Sequence, residues 1–485
     1  MNKELRRVSV LVLLMFLALF TSSSIIQVFQ QDELAANPFN ARTLYDSFSA
    51  ERGAILVDGI AIANSVPVDD EYSYQREYSN GPLYAAVTGY FTLDQGTTGI
   101  EGELNDFLSG TASEQFLDRV NAILTGQNPQ GAAVQVTIDP TVQQAAWDAL
   151  GDLQGSVVAI DPSTGAILAM VSKPSFDPND LASHDSSVVI QNYTDLLNDP
   201  DDPLINRAIS GDLYHPGSTF KLIVAAAALE SGEYTPDSEL PNPRTITLPE
   251  SSSVVSNSGG GTCGGGDTVT IADALRLSCN VPFAELGQEL GYEAIAEQAA
   301  RFGFGDESIT VPMSVTPSIF PQTDSEAQLM LASFGQANVR VTPLEMAMVS
   351  SAVATGGTLM SPTLVDRIVA PDLSIVQSLE PQVYGTPLSS ETAALLRDMM
   401  INNVASGAAS NATIAGVDVA GKTGTAQNGE GEPYTLWFTG FAPADNPQVA
   451  VAVVVEDGGG LGQSGFGNTV AAPIAKKVIE AVLNR

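Results

Sequence analysis

The chain begins with an apolar stretch, Val8 to about Phe29, preceded by Lys3, Arg6 and Arg7. At about 1.5 Å per helical residue this run is long enough to cross a bilayer, with its basic end expected in the cytoplasm. A cleaved export signal is the alternative, since Val8 to Phe20 alone has the length of a signal core and Thr21, Ser22, Ser23 and Ser24 follow. Ile25, Ile26, Val28 and Phe29 resume the apolar pattern and no clean A-x-A site interrupts it, which favours a retained anchor. The expected layout is a cytoplasmic stub at 1–7, a transmembrane anchor at 8–29 and everything beyond Gln30 outside.

From 30 to 135 apolar residues come in short runs broken by glycines and polar clusters, such as Arg52-Gly53-Ala54-Ile55-Leu56, without sustained helical periodicity. This predicts a small juxtamembrane, non-catalytic domain. From 136 to 485 the pattern is that of a larger domain. Val134 to Ile138 reads as a strand, and Asp139-Pro140 marks the start of a helix over Thr141 to Leu150. Ser156 to Ile160 and Ala166 to Val171 flank a compact turn and predict a hairpin. Leu436 to Phe441 and Val449 to Val455 predict a second strand pair, and a helix from about Ala472 to Leu483 closes the chain. Strands at both ends with helical segments between them predict an α+β fold with an antiparallel sheet rather than repeated βαβ units.

Composition narrows the function. With 56 acidic against 20 basic residues, the formal charge of -36 would repel a phosphate backbone, so nucleic-acid binding is not expected. The only histidines are His184 and His215, too few for a His-rich zinc site and few for a Ser-His-Asp triad; His215 is the one near candidate chemistry, and no metal or cofactor is expected. Cys263 and Cys279, the only cysteines, are expected to form a disulfide in an exported chain, the alternative being two buried thiols.

His215-Pro216-Gly217-Ser218-Thr219-Phe220-Lys221 precedes a strong helix-forming run stopped at Gly232, so Ser218 is expected to open that helix. The i,i+3 spacing puts Ser218 and Lys221 on one face, pairing a hydroxyl with an amine that desolvation or a second cation would make a base. Ser278-Cys279-Asn280 follows the apolar segment Ile271 to Leu277: Ser278 is a candidate proton relay and Asn280 a candidate substrate contact. Val417 to Ala420 leads into Gly421-Lys422-Thr423-Gly424-Thr425-Ala426, readable as a strand edge along which a peptide could align. Lys422 would provide a positive field for a carboxylate and help keep Lys221 neutral, while Thr423 and Thr425 offer hydroxyls. Taken singly, each motif has an ordinary account as a helix cap, a capped boundary or a polar turn. Their joint order, with gaps of about 60 and 140 residues, is far more specific.

At these motifs the chain resembles the class B penicillin-binding proteins, the transpeptidases that cross-link peptidoglycan. Ala159 to Gly165, Asn206 to Ile209, Phe334-Gly335-Gln336, Thr342-Pro343-Leu344 and Trp437 to Pro443 look like further landmarks of that family. The short juxtamembrane domain, Ser278-Cys279-Asn280 and Pro174 to Asn179 are most similar to its actinobacterial penicillin-binding protein A branch. The resemblance implies a serine β-lactamase-like transpeptidase fold: an α/β subdomain with a five-stranded sheet, a helical subdomain, and the active site between them. It implies that Ser218 attacks the D-alanyl-D-alanine bond of a stem peptide, with β-lactams mimicking that donor. By the same correspondence Lys221 is the base, Ser278 the relay, Asn280 a donor contact and Lys422-Thr423-Gly424-Thr425 the substrate-binding edge. The Ser218 and Thr425 amides would form the oxyanion hole.

The resemblance also implies pairing with a membrane-embedded polymerase of the shape, elongation, division and sporulation family, because nothing before residue 135 looks long enough to house a glycan-polymerising domain. The usual run with aspartate, arginine and glycine is reduced here to Val57-Asp58-Gly59. Two other readings stay open on sequence. A class D serine β-lactamase has a similar nucleophile motif, and a non-catalytic scaffold could keep the fold.

Overall fold

The computed structural model describes residues 2–26, 50–116, 130–211, 213–378 and 380–485, with the single positions 30, 48 and 125. The N-terminal helix α1 (Asn2–Ser24) contains a 20-residue stretch, Leu5–Ser24, of mean hydropathy 1.9 in which no residue is buried. It is long and apolar enough to cross a membrane. The last three positions of the expected anchor, 27–29, lie outside the described residues.

Strands β1 (Ile55–Val57) and β2 (Ile60–Pro67) form a hairpin whose two turn residues, Asp58 and Gly59, both have positive φ, the geometry an Asp-Gly pair favours. β3 (Tyr74–Tyr78) and helix α2 (Gly81–Thr88) follow, and β4 (Ala133–Val136) returns parallel to β1. Under this sheet lies a buried charge cluster. Glu101 accepts from Arg52 Nε and Arg76 Nε, each at 2.6 Å, with all three side chains out of contact with water.

Helix α3 (Pro140–Leu150) starts one residue before the sequence expectation, because Pro140 fits the first turn and Asp139 caps it by accepting from Thr141 N and Val142 N. β5 (Gly155–Ile160) and β6 (Ile167–Lys173) form the expected hairpin. Beyond them come α4 (Lys221–Glu230), α5 (Ile271–Arg276), α6 (Asn280–Phe302) and α7 (Pro343–Ala354). Next are β7 (Val365–Val369), β8 (Ile375–Ser378) and α8 (Ser390–Ser406), and then β9 (Ala420–Ala426), β10 (Thr435–Ala442), β11 (Val449–Val455) and the closing α9 (Ala471–Leu483).

Two sheets organise these elements. The main one has the order β9-β10-β11-β5-β6 and is antiparallel throughout, so the α+β expectation and the five strands hold. Its central strand β11 is buried along its whole length, with residues of alternate parity entering two different cores, one shared with α9 and the other with α7. Cover on both faces explains why Val449 to Val455 reads as unbroken apolar sequence rather than an alternating one. The second sheet has the order β8-β7-β4-β1-β2-β3. β4 straddles the expected boundary at 135/136 and pairs antiparallel with β7, so chain segments more than two hundred residues apart share one sheet.

Candidate active site

Ser218 is delivered by a tight turn rather than by the helix itself: Gly217–Phe220 is a single 3-10 turn and α4 begins only at Lys221. The expected helix start is therefore displaced by three residues. Gly217 has φ of 52°, and a Cβ there would sit 3.1 Å from the Thr425 carbonyl carbon. A Cβ on Gly335 would lie only 2.0 Å from the Gly217 carbonyl oxygen. Glycine at both positions lets the turn, the 335 segment and β9 press backbone against backbone. Gly217 N donates to Gly335 O at 3.0 Å, and Trp437 Nε1 donates to His215 O at 2.9 Å, holding the turn on two sides.

Lys221 is fully buried, with Nζ 3.0 Å from Ser218 Oγ, 2.8 Å from Ser278 O and 2.9 Å from Asn280 Oδ1. The carbonyl and the amide oxygen can only accept, so in the neutral form of the amine they would take its two hydrogens and leave its lone pair for the Ser218 hydroxyl. Burial first, and the Lys422 cation second, hold the amine well below its ordinary value. The arrangement is that of a base already aimed at its proton.

Ser278 joins the two lysines. Its Oγ lies 2.6 Å from Lys422 Nζ while its carbonyl accepts from Lys221. Both contacts follow from a left-handed backbone at Ser278, φ 61°, uncommon for serine and placed between the end of α5 and the start of α6. Lys422 is likewise fully buried; it also donates to Thr423 O at 2.9 Å, and burial pushes it down to about 7.

The expected strand begins at Ala420 rather than Val417, which instead closes a turn by donating to Ile414 O. Lys422, Thr423, Gly424 and Thr425 all lie on β9, an edge of the main sheet. The hydroxyls do not share one role. Thr423 Oγ1 donates to Ala408 O at 2.9 Å, whereas Thr425 Oγ1 accepts from Gly467 N at 3.1 Å and keeps its own hydrogen to donate. Gly424 lets β9 lie against the turn, since a Cβ there would lie 2.7 Å from Pro216 O.

Asn280 opens α6, and besides meeting Lys221 its Nδ2 donates to Ser256 O at 3.2 Å. Cys263 and Cys279 are bonded, joining the residue between Ser278 and Asn280 to a glycine-rich loop, Gly259 to Gly266. That loop has further supports that local sequence did not reveal. Asn257 Oδ1 accepts from both Asn280 N and Val281 N, capping α6 from a distance of 23 residues along the chain. Asn242 accepts from Cys263 N and donates to Cys263 O. An asparagine flanking a glycine run reads as loop sequence; only the Asn280 contact shows that it caps a helix.

His215 makes no bond to Ser218 or Lys221. Its Nδ1 lies 2.6 Å from Arg340 Nη1, and burial followed by that cation pushes it down to about 4. It is a neutral flank of the site. His184 is remote, its Nδ1 against Asp70 Oδ2 at 2.5 Å.

Comparison with known proteins finds similarity along the whole chain. The penicillin binding protein transpeptidase domain model matches residues 155–480, and the penicillin binding protein A dimerisation domain model matches residues 52–134. The chain is 41% identical to the peptidoglycan D,D-transpeptidase PbpA of Mycolicibacterium smegmatis, over 100% of this chain and 99% of that protein. It is 40% identical to PbpA of Mycobacterium tuberculosis, with the same coverage. Among solved structures, penicillin-binding protein A from M. tuberculosis as its penicillin G acyl-enzyme complex superposes with a TM-score of 0.85 at 39% identity, covering 90% of this chain and 100% of that one.

Proposed function

Since the chain belongs to the penicillin-binding protein transpeptidase family, we propose that it cross-links peptidoglycan stem peptides through an acyl-enzyme on Ser218. The observation that carries this reading is the buried Lys221 Nζ, 3.0 Å from Ser218 Oγ, with Ser278 O and Asn280 Oδ1 beside it to accept its hydrogens. Lys221 takes the hydroxyl proton as Ser218 Oγ bonds to the carbonyl carbon between the two D-alanines. The oxyanion that forms is met by the backbone amides of Ser218 and Thr425. When the C–N bond breaks, the proton passes from Lys221 through Ser278 Oγ to the leaving amine, and D-alanine departs. An amine of a neighbouring strand then attacks the ester, passing its proton back along the same route, and Ser218 recovers its own.

Lys422, with Thr423, Gly424 and Thr425, binds the terminal carboxylate and the donor backbone, and Asn280 contacts the donor while steadying Lys221. A β-lactam presents the same carbonyl and carboxylate, so it acylates Ser218. The enzyme works at the membrane held by α1, with its N-terminus in the cytoplasm, the folded part outside, residues 30–135 as a non-catalytic pedestal and 136–485 as the transpeptidase domain. Glycan polymerisation falls to a partner of the shape, elongation, division and sporulation class, met through α1 and the pedestal.

The test is intact mass and peptide mapping after incubation with penicillin G, with Ser218→Ala as control. A long-lived adduct on Ser218 supports the reading. Rapid turnover of the drug points instead to a β-lactamase, and absence of any adduct to a scaffold.

A further inference from the structure

The Ser218 turn is pressed between β9 and the 335 segment, and one side chain ties these two walls together. Oriented to suit its neighbours, the Gln336 amide places its nitrogen 3.1 Å from Gln427 O and its oxygen 3.2 Å from Gln427 N. That is the pair of hydrogen bonds a residue of a neighbouring strand would make, supplied by a side chain.

Parity along β9 shows which edge it occupies. Residues of an antiparallel strand alternate between pairing with the neighbour and pointing away from it. The Thr423 carbonyl accepts from Lys422 and, one residue past the end of β9, the Gln427 N–H and C=O meet Gln336, so by alternation 423 and 425, continued to 427, face the edge turned away from β10. Thr425 is the residue of that set between two occupied positions. Immediately before Gln336, Gly335 accepts from Gly217 N at 3.0 Å and lies against it so closely that a Cβ would not fit. Two consecutive residues therefore hold the nucleophile turn and the end of β9.

We propose that Gln336 is a positioning residue: by strapping Gln427 it fixes the distance between the Ser218 and Thr425 amides and closes the open edge of β9 beyond Thr425. An extended donor can then pair with β9 at Thr425 and not farther along. The inference rests on the oxyanion role given above to those two amides.

The experiment compares the full-length protein with Gln336→Ala and Gln336→Glu, reading the second-order rate of acylation by penicillin G, the thermal midpoint and amide exchange at Thr425 and Gln427. Gln336→Ala is expected to slow acylation about tenfold with the midpoint within a few degrees of the parent, and to speed exchange at Gln427. In Gln336→Glu the ionised carboxylate cannot donate to Gln427 O, but the protonated acid can. The ratio of variant to parental rate is therefore expected to rise as pH falls through the carboxyl range, a response that a purely structural role would not give. Parental-rate acylation in both variants, or a pH-independent ratio, overturns the proposal. A parent that forms no Ser218 adduct overturns the underlying reading instead, so the two failures are distinguishable.

Discussion

Two lysines buried within one hydrogen-bonded cluster would repel each other if both were charged, and burial together with the Lys422 cation holds Lys221 well below its ordinary value, which favours the neutral amine. Protonated Lys221 cannot take the Ser218 proton, so acylation is expected to fall as pH drops through the Lys221 value. Lys422→Ala removes a neighbouring cation, which raises that value; the acid limb of the pH–rate profile should move to higher pH even as the overall rate falls. His215, already neutral above about 4, should leave the limb in place when changed to Gln. A stopped-flow profile of penicillin G acylation from pH 5 to 9 measures both. Ser278 gives a second prediction. Its left-handed φ of 61° favours glycine, so Ser278→Gly is expected to be more stable than Ser278→Ala by about 1 kcal/mol. Both should lose acylation by about a hundredfold or more if Ser278 Oγ is the relay proposed above. Thermal midpoints alongside acylation rates would separate the backbone effect from the chemical one.

Between elements, the site is a junction of turns held by long-range contacts. The α5–α6 corner carries Ser278 and Asn280, and it is fixed by the Cys263–Cys279 bond, 16 residues apart, and by Asn257 capping α6. Closing a loop of that length is worth about 3 kcal/mol in the chain-entropy account, so replacing both cysteines with serine should lower the thermal midpoint. It should also slow acylation about tenfold, because misplacing Asn280 frees Lys221. Equal acylation in the double variant would mean that Asn257 alone holds the corner. The approach of the 335 segment to the nucleophile turn is stricter. Gly335→Ala puts a methyl group 2.0 Å from Gly217 O, and a shift of the turn by an ångström is expected to cost about a hundredfold in acylation rate.

At the scale of the whole molecule, the six-stranded sheet joins β1 to β4 with β7 and β8 from far along the chain, and Arg52, Glu101 and Arg76 lie buried beneath it. Burial would raise the Glu101 carboxyl, but the two guanidiniums overcome this and hold it below its ordinary value. A carboxyl depressed in the folded state contributes stability that is present above its unfolded value and lost as pH falls through the folded one. Glu101→Gln leaves two buried arginines uncompensated and should cost about 3–5 kcal/mol, with the acid side of the stability profile flattened relative to the parent; denaturant unfolding at several pH values tests both. The Ser218–Lys221 pair, the apolar α1 and the hairpin of β5 and β6 were legible in the sequence because each is set by residues a few positions apart, where helix and strand periodicity fix relative placement. The pairing of β4 with β7, the capping of α6 by Asn257 and the strapping of Gln427 by Gln336 were not, since their partners are brought together only by the packed fold. The sequence by itself determined which chemical groups this protein carries and which local elements display them. Tertiary structure decided that the two lysines are buried together and that Lys221 Nζ sits among Ser218 Oγ, Ser278 O and Asn280 Oδ1, because burial and hydrogen-bond geometry are properties of the whole fold and not of any segment.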